Sequence, residues 1–245
     1  MRTLEQGDSA FIVRVESVEV DRPLDWVPHT SGANIVRAEG RSWIHKPSMG
    51  FNEVLAEAIG FLVGRRLGIR VPAGAVYTEN GAPSWLSEVV ENTKHWNHDL
   101  CGSLADPHEI ARIYVLDAII HNEDRHAGNL LLERYSDGLY RAWSIDTADA
   151  GINEPESIID SLDPPDPRNH FSPVPLDDRT CEEARRVAEG CAALLSSEGA
   201  RACAVVACAA SACPDWEQAV SDALRYRGEN APAIVDPYLE LLRTR

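Results

Sequence analysis

The sequence predicts an α+β fold of two unlike parts: a small β-rich N-terminal lobe carrying one helix, then a helical C-terminal lobe. Three observations lead there. Short runs of alternating or β-branched residues, broken by Gly, Asn and Pro, fill the first 90 residues. A single stretch, residues 52–67 (NEVLAEAIGFLVGRRL), interrupts them with helical spacing. From Asp106 onward the pattern is mostly helical, with two short apolar strands around residues 130–145. Many unrelated folds share this layout, and it assigns no function by itself.

Each element has its own signal. Residues 11–20 (FIVRVESVEV) alternate apolar and charged side chains, the period of a half-buried strand. Turn chemistry follows at Arg22-Pro23, at Val27-Pro28 and over residues 30–34. Residues 35–38 and 42–45 read as a hairpin around Glu39-Gly40. In residues 52–67 the apolar positions 54, 55, 58, 59, 62, 63 and 67 form one wide helical face, and Gly68 ends the helix. Val71-Pro72 opens an extended piece, and residues 76–77 and 85–90 are further strands joined through Glu79-Asn80-Gly81. Pro107 suits a first helical turn, and residues 110–120 continue as an apolar helix. Residues 130–132 and 139–145 are strands around Ser136-Asp137-Gly138. Residues 153–178 hold six of the 15 prolines and form a long loop. Helices are expected at 181–196, in a Cys/Ala-rich segment and at 215–227, with a last turn or two at 237–242. The lobes are expected to divide as residues 1–92 and 93–245.

Composition narrows the partners. The chain has 245 residues, with 23 basic and 39 acidic side chains, a formal charge of −16. Such a surface repels phosphate backbones and anionic headgroups, so neither nucleic acid nor membrane is expected as a partner. The N-terminus lacks the apolar core of a signal peptide, and the apolar stretch 200–212 is too short to span a bilayer; the expected location is the cytoplasm. Five of the six cysteines (Cys181, Cys191, Cys203, Cys208, Cys213) fall in the last third with no Cys-x-x-Cys pair. They read as small buried apolar residues rather than zinc ligands or disulfides.

The chemistry concentrates in residues 116–151, LDAIIHNEDRHAGNLLLERYSDGLYRAWSIDTADAG. Asp124, Arg125, His126 and Asn129 lie between an apolar helix and an apolar strand, at the rim of a core. Asp146 ends a second strand that a hairpin would return beside Asn129. Phosphoryl transfer asks for these groups, because it is mostly positioning and metal-assisted charge neutralisation. An Asp and an Asn can hold Mg²⁺ through hard oxygens, and a second Asp can take or orient the proton of the attacking hydroxyl. Asp124 fits that base role, and Asn129 and Asp146 fit the metal role.

The run from Asn122 to Asn129 (NEDRHAGN) resembles the D-R-H-x-x-N catalytic loop of HipA-like kinases and phosphoinositide kinases, and its Asp-to-Asn spacing is similar to that of the protein-kinase loop. The resemblance covers roughly residues 30–151 and implies a protein-kinase-like two-lobed fold that uses ATP and Mg²⁺. It implies that Asp146 stands where the metal-binding Asp of a D-F-G-type motif would be, with Asp149 as an alternative. Lys46 resembles the strand lysine that pairs nucleotide phosphates. Glu53 is its carboxylate partner by register with the family, with Glu57 one turn on as the alternative. The phrase from Leu67 to Pro72 (LGIRVP) resembles the L-G-L-x-V-P of the same kinases. Ser31 and Gly32, in residues 29–34, take the place of the phosphate-covering loop, although that stretch holds one glycine. Leu86, Ser87 and Glu88 would be the hinge that meets the adenine. Asp146 is followed by Thr-Ala, with neither Phe nor Gly.

The expected reaction is transfer of the ATP γ-phosphate to a hydroxyl, on Ser or Thr of a protein or peptide or on a small polyol or aminosugar. Asp124, Arg125 and His126 form the catalytic loop of that reading. Two other classes stand beside it: a pseudokinase that binds nucleotide without turnover, and a metal hydrolase built on His121, Asp124 and His126. Arg125 also reads as a salt-bridge partner, and His126 as a residue that holds the turn.

Overall fold

The structure, a computed structural model, describes residues 2–4, 12–23, 33–47, 49–106, 108–136, 138–167 and 176–244. Among these the strands are β1 (Arg2–Leu4), β2 (Ile12–Val15), β3 (Glu19–Pro23), β4 (Asn34–Ala38), β5 (Arg41–His45), β6 (Gly74–Glu79), β7 (Ala82–Glu88), β8 (Thr93–His95), β9 (Leu130–Ser136) and β10 (Leu139–Ser144). The helices are α1 (Phe51–Arg66), α2 (His108–Ile120), α3 (Asp178–Leu194), α4 (Ser197–Ser211), α5 (Glu217–Glu229) and α6 (Ala231–Arg243). The first seven strands make one sheet in the order β1-β2-β6-β7-β5-β4-β3, parallel at β2–β6 and antiparallel elsewhere. The last three strands make a small sheet, β10-β9-β8, in the second lobe.

The hairpins form where turn residues permit them. Glu39 and Gly40 have φ of 51° and 73°, and Asn80 and Gly81 have 51° and 86°; these are the two-residue turns whose twist matches paired strands. Residues 11–20 are not one strand. The chain bends at Glu16, so β2 lies towards one side of the large sheet and β3 at its opposite edge. Both pieces keep the same alternation, so periodicity alone could not reveal the break. Phe11 lies outside the described residues.

Helix α1 departs from the single-faced helix its spacing predicts. Every residue from Val54 to Gly64 is buried. One side packs on the sheet, where Phe61 meets Trp85 at a ring separation of 6.3 Å. The opposite side is covered by α4, whose Ala- and Cys-rich surface allows close approach. At the N-terminus of α1, Phe51 stands edge-on to Trp216 of the helical lobe at 5.3 Å.

In the second lobe α2 is the buried centre, with α3, α5 and α6 packed around it. The last turn or two expected near residue 237 is instead the full helix α6, with Pro237 inside it. An interior proline costs about 3 kcal/mol. Burial of Ile234, Val235, Tyr238, Leu239 and Leu242 offsets this, at about 1.5–3 kcal/mol for each fully buried side chain. Arg227 of α5 is fully buried and donates to the carbonyls of Ala118 (2.7 Å) and Ile119 (2.9 Å), closing the C-terminal end of α2. The same guanidinium reaches the carbonyls of Ser161 and Asp163. The five cysteines of the last third are buried free thiols. Among the described residues no single helix is long and apolar enough to cross a membrane.

Candidate active site

Lys46 follows the end of β5 and points to the seam between the lobes. Its Nζ lies 2.6 Å from Asp146 Oδ1 and 3.3 Å from Glu57 Oε1. Burial opposes the charge on Lys46, but Glu57 and Asp146 outweigh it and hold the ammonium above the usual lysine range. Burial likewise works against an ionised Asp146, yet Lys46 and then Arg125 bring its carboxyl below the ordinary value. Glu57, on the buried helix, is pushed up by burial against the pull of Lys46.

The partner of Lys46 is therefore Glu57 and not Glu53. The Glu53 carboxylate accepts the N–H of Gly50 at 2.5 Å, at the start of α1, where a negative charge meets unpaired helix amides. Both glutamates lie on the same helix one turn apart, and only the packed register decides which one faces the lysine.

The segment after α2 is organised by Arg125. Its Nε and Nη2 donate to the buried carboxylate of Asp117, with Nη2 at 2.8 Å. Its Nη1 donates to the carbonyls of Asn129 (2.7 Å) and Ile145 (3.0 Å). Arg125 is thus a buried structural tie between α2, Asn129 and the residue preceding Asp146, rather than a group facing ligand. Burial disfavours its charge, but Asp117 more than compensates and raises its pKa. Asn122 completes the anchor by donating from Nδ2 to Asp117 at 2.8 Å, while its Oδ1 accepts the N–H of Asp124.

Asn129 is buried and donates from Nδ2 to the Asp124 carbonyl at 2.8 Å, which makes Oδ1 the oxygen it can offer a cation. The N–H of Ile145 donates to the Asn129 carbonyl at 3.1 Å, so Asn129 and Asp146 sit on adjoining backbone segments. His126 accepts the N–H of Gly128 at Nδ1 (3.0 Å), closing the turn over Ala127–Asn129, and its Nε2 lies 3.6 Å from Asp124 Oδ2. With Nδ1 an acceptor, the neutral ring carries its proton on Nε2, on the side of the ring nearer Asp124.

Asp146 has a left-handed backbone, φ 57°, unusual for a residue other than glycine. Arg125 grips the carbonyl just before it, and the N–H of Thr147 just after it donates to Glu57 Oε2 at 3.2 Å. Asp149 is exposed nearby; partial burial, followed by the carboxylates of Asp146, Asp124 and Glu53, pushes its pKa up. These four acids share one field at the mouth of the site. The contact of Thr147 with Glu57 had no signal in the sequence beyond the odd residue after Asp146.

The expected hinge residues lie at the end of β7, where Ser87 lines a small cavity with Glu57, Asp146 and Thr147. Leu86 is buried on the sheet face opposite the site, among Val13, Val36 and Trp43. The Glu88 N–H donates to the Ala73 carbonyl (2.9 Å), its carboxylate accepts from Arg41 (3.3 Å), and the Val89 N–H still donates to the Ser42 carbonyl of β5 (2.9 Å). Ser31 and Gly32 lie outside the described residues. Ala33, just before β4, clusters with Ile35 of β4 and Ile44 of β5, two residues before Lys46, and together they offer an apolar roof.

The transition-metal arrangement is not formed. His121 turns Nε2 to Glu123 (3.5 Å) and Nδ1 to Arg227 (3.4 Å), while His126 spends Nδ1 on the loop. Among the described residues no three His, Cys, Asp or Glu side chains gather as a metal-holding group. The Asp146 carboxylate beside Lys46, and the Asn129 amide oxygen on the adjoining segment, are hard donors of the kind that suit Mg²⁺ on phosphates, since that ion keeps several waters and needs few protein ligands.

No family model matches the chain, and no curated protein matches it. Among solved structures it is similar to the proinflammatory kinase CtkA of Helicobacter pylori, with a TM-score of 0.59 over 95% of this chain and 99% of that chain, at 11% identity. At such low identity the likeness speaks to architecture: this chain has a kinase-like, two-lobed α+β fold.

Proposed function

We propose that this chain is an ATP-dependent phosphotransferase that moves the γ-phosphate to a hydroxyl, most simply a Ser or Thr of a basic protein or peptide. The observation that carries the reading is the meeting of Lys46, Glu57 and Asp146, drawn from a strand, a helix and a loop far apart in sequence. A lysine held charged between two acids is arranged to hand its charge to an anion. The likeness of the whole chain to a kinase supports the same reaction.

In this reading Lys46 binds the phosphates and Glu57 keeps the lysine in place. Asn129 Oδ1 and Asp146 would hold Mg²⁺, which supplies charge neutralisation to the transferring phosphoryl group. Asp124 accepts or orients the proton of the acceptor hydroxyl, and His126 Nε2–H steadies its carboxylate. Ile35 and Ile44 cover the base. The acids at the mouth, Asp149, Glu53 and Asp124, repel an anionic acceptor and favour a cationic one. A cationic small molecule such as an aminosugar meets the same charge requirement.

Single-turnover and steady-state ATP consumption with Mg²⁺, in wild type and Asp124→Asn, tests this. The variant should bind Mg-ATP like wild type yet lose roughly 10²–10⁴-fold in turnover, the usual weight of a positioned base. Absence of Mg-dependent ATP binding by the wild type at millimolar nucleotide would end the reading.

A further inference from the structure

The residue after Asp146 lies against the lysine's partner, and the fold has made room for it. Thr147 is buried at 5% exposure. Its Oγ1 lies 3.2 Å from Glu57 Oε2 and 3.2 Å from the Ala56 carbonyl, while its N–H donates to the same Glu57 oxygen at 3.2 Å. Glu57 therefore presents two differently used oxygens. Oε1 faces Lys46, and Oε2 is held from behind by Thr147.

A hydroxyl has one proton to share between these acceptors. The Ala56 carbonyl sits inside a helix and has the N–H four residues on as its ordinary partner. Glu57 Oε2 has no such intrahelical partner and belongs to the carboxyl group that faces the Lys46 ammonium; bonds to an acceptor paired in this way are about twice as strong as neutral ones. The proton is better spent on Oε2.

An independent observation marks the pair as built. A Cβ placed on Gly60 would stand 2.2 Å from Thr147 Oγ1 and 2.9 Å from its Cβ and Cγ2. Gly60 lies inside α1 and is absent from the glycines with positive φ, so no backbone demand explains it. A glycine in a helix interior costs about 1 kcal/mol against alanine. What that cost obtains is the slot that admits Thr147 to the flank of Glu57.

We infer that Thr147 is a positioning residue: its hydroxyl fixes Glu57 Oε2, so that Oε1 sets where the Lys46 ammonium sits. The assignment of Lys46 to nucleotide phosphates rests on the phosphotransferase reading; the grip of Thr147 on Glu57 does not. A merely structural threonine would tie the loop to α1 and leave Lys46 untouched.

The test compares Thr147→Val, which keeps the shape without the hydroxyl, with Thr147→Ser, which keeps the hydroxyl. Trace acylation by acetic anhydride, read on the Lys46 peptide by mass spectrometry between pH 8 and 10, reports Lys46 with no nucleotide present. A bond to a charged group is worth about tenfold or more, and part of that loss reaches Lys46 through Glu57, so Thr147→Val should label Lys46 about three- to tenfold faster than wild type. Thr147→Ser should stay within about twofold of wild type on the same scale. In ATP turnover, kcat/KM should fall by a similar factor in Thr147→Val and recover in Thr147→Ser. Equal Lys46 labelling in wild type and Thr147→Val overturns the inference. Failure of wild type to bind Mg-ATP, with labelling still dependent on the hydroxyl, overturns the phosphotransferase reading and leaves the clamp standing. If Thr147→Val fails to fold by circular dichroism, Thr147→Ala is judged by the same labelling criteria.

Discussion

Lys46 Nζ and Glu57 Oε1 meet at 3.3 Å across the gap between β5 and α1, and the same lysine touches Asp146 on its other side. The contact makes α1 the carrier of the site, because the strand's charge is placed by a residue on the helix.

Exchanging the two glutamates of α1 separates their roles. Glu57→Gln should lower kcat/KM for Mg-ATP by about 10–100-fold, the worth of one to two charge-assisted bonds. Glu53→Gln should leave it within about threefold and instead cost about 0.5–1 kcal/mol of stability, as loss of a charge at a helix N-terminus does. Steady-state kinetics and thermal melts of both variants check this. Equal kinetic losses would return Glu53 to the site.

Asp146→Ala should abolish the Mg-dependent part of nucleotide stabilisation. A ligand at a hundred times its dissociation constant stabilises by about 2.7 kcal/mol, which for a domain of this size raises Tm by about 5–10 °C. The wild type should show that shift with Mg-ATP and a smaller one with ATP and EDTA; the variant should not distinguish the two. Should Asp149→Ala behave so instead, the exposed acid is the ligand.

The local part of this site was legible in the sequence, and the packed part was not. Asp124, Asn129 and the turn between them lie within six consecutive positions, so their spacing survives any error in fold. The choice between Glu53 and Glu57 depends on how α1 is rotated against the sheet, and both sit in the same apolar pattern. Arg125 reads first as a salt-bridge partner and second as a ligand group, and the deciding partner, Asp117, looks like one more polar residue on an apolar helix. Only a last turn or two is expected from Pro237 to Leu242, whereas the buried stripe of α6 carries the helix from Ala231 through the proline. The hairpin turns were readable because Gly40 and Gly81 supply left-handed backbone that few residues allow.

Stability should fall on mild acidification in a way that His121 explains in part. Burial, then Arg227, lowers the pKa of His121 in the folded state from its ordinary 6.5. Below about pH 6.5 the unfolded chain takes up this proton first, so stability is lost as pH falls through that value. Melts at pH 7.5 and 5.5 should show a smaller drop for His121→Asn than for wild type. Asn suits the position because His121 has φ 56°. Parallel slopes would remove His121 from the account.

Arg227→Leu should be among the most damaging single changes. It leaves the carbonyls of Ala118 and Ile119 without this donor in the buried centre. Each orphaned buried acceptor costs about 1–3 kcal/mol, so at about 2–4 °C per kcal/mol Tm should drop by about 4–24 °C. A loss under 2 °C would show that these groups find other partners.

The covered helix has a consequence for control. A helix with one face in water can rock outward, breaking its lysine contact at little expense. Helix α1 has the sheet on one side and α4 on the other, so such a movement must strip apolar side chains from both. Exposing two or three of them costs about 5 kcal/mol, leaving fewer than about one molecule in a thousand displaced at any moment. An effector would need nearly all of that energy as preference for the displaced form. The Lys46–Glu57 pair is therefore held as one unit with the sheet, α1 and α4.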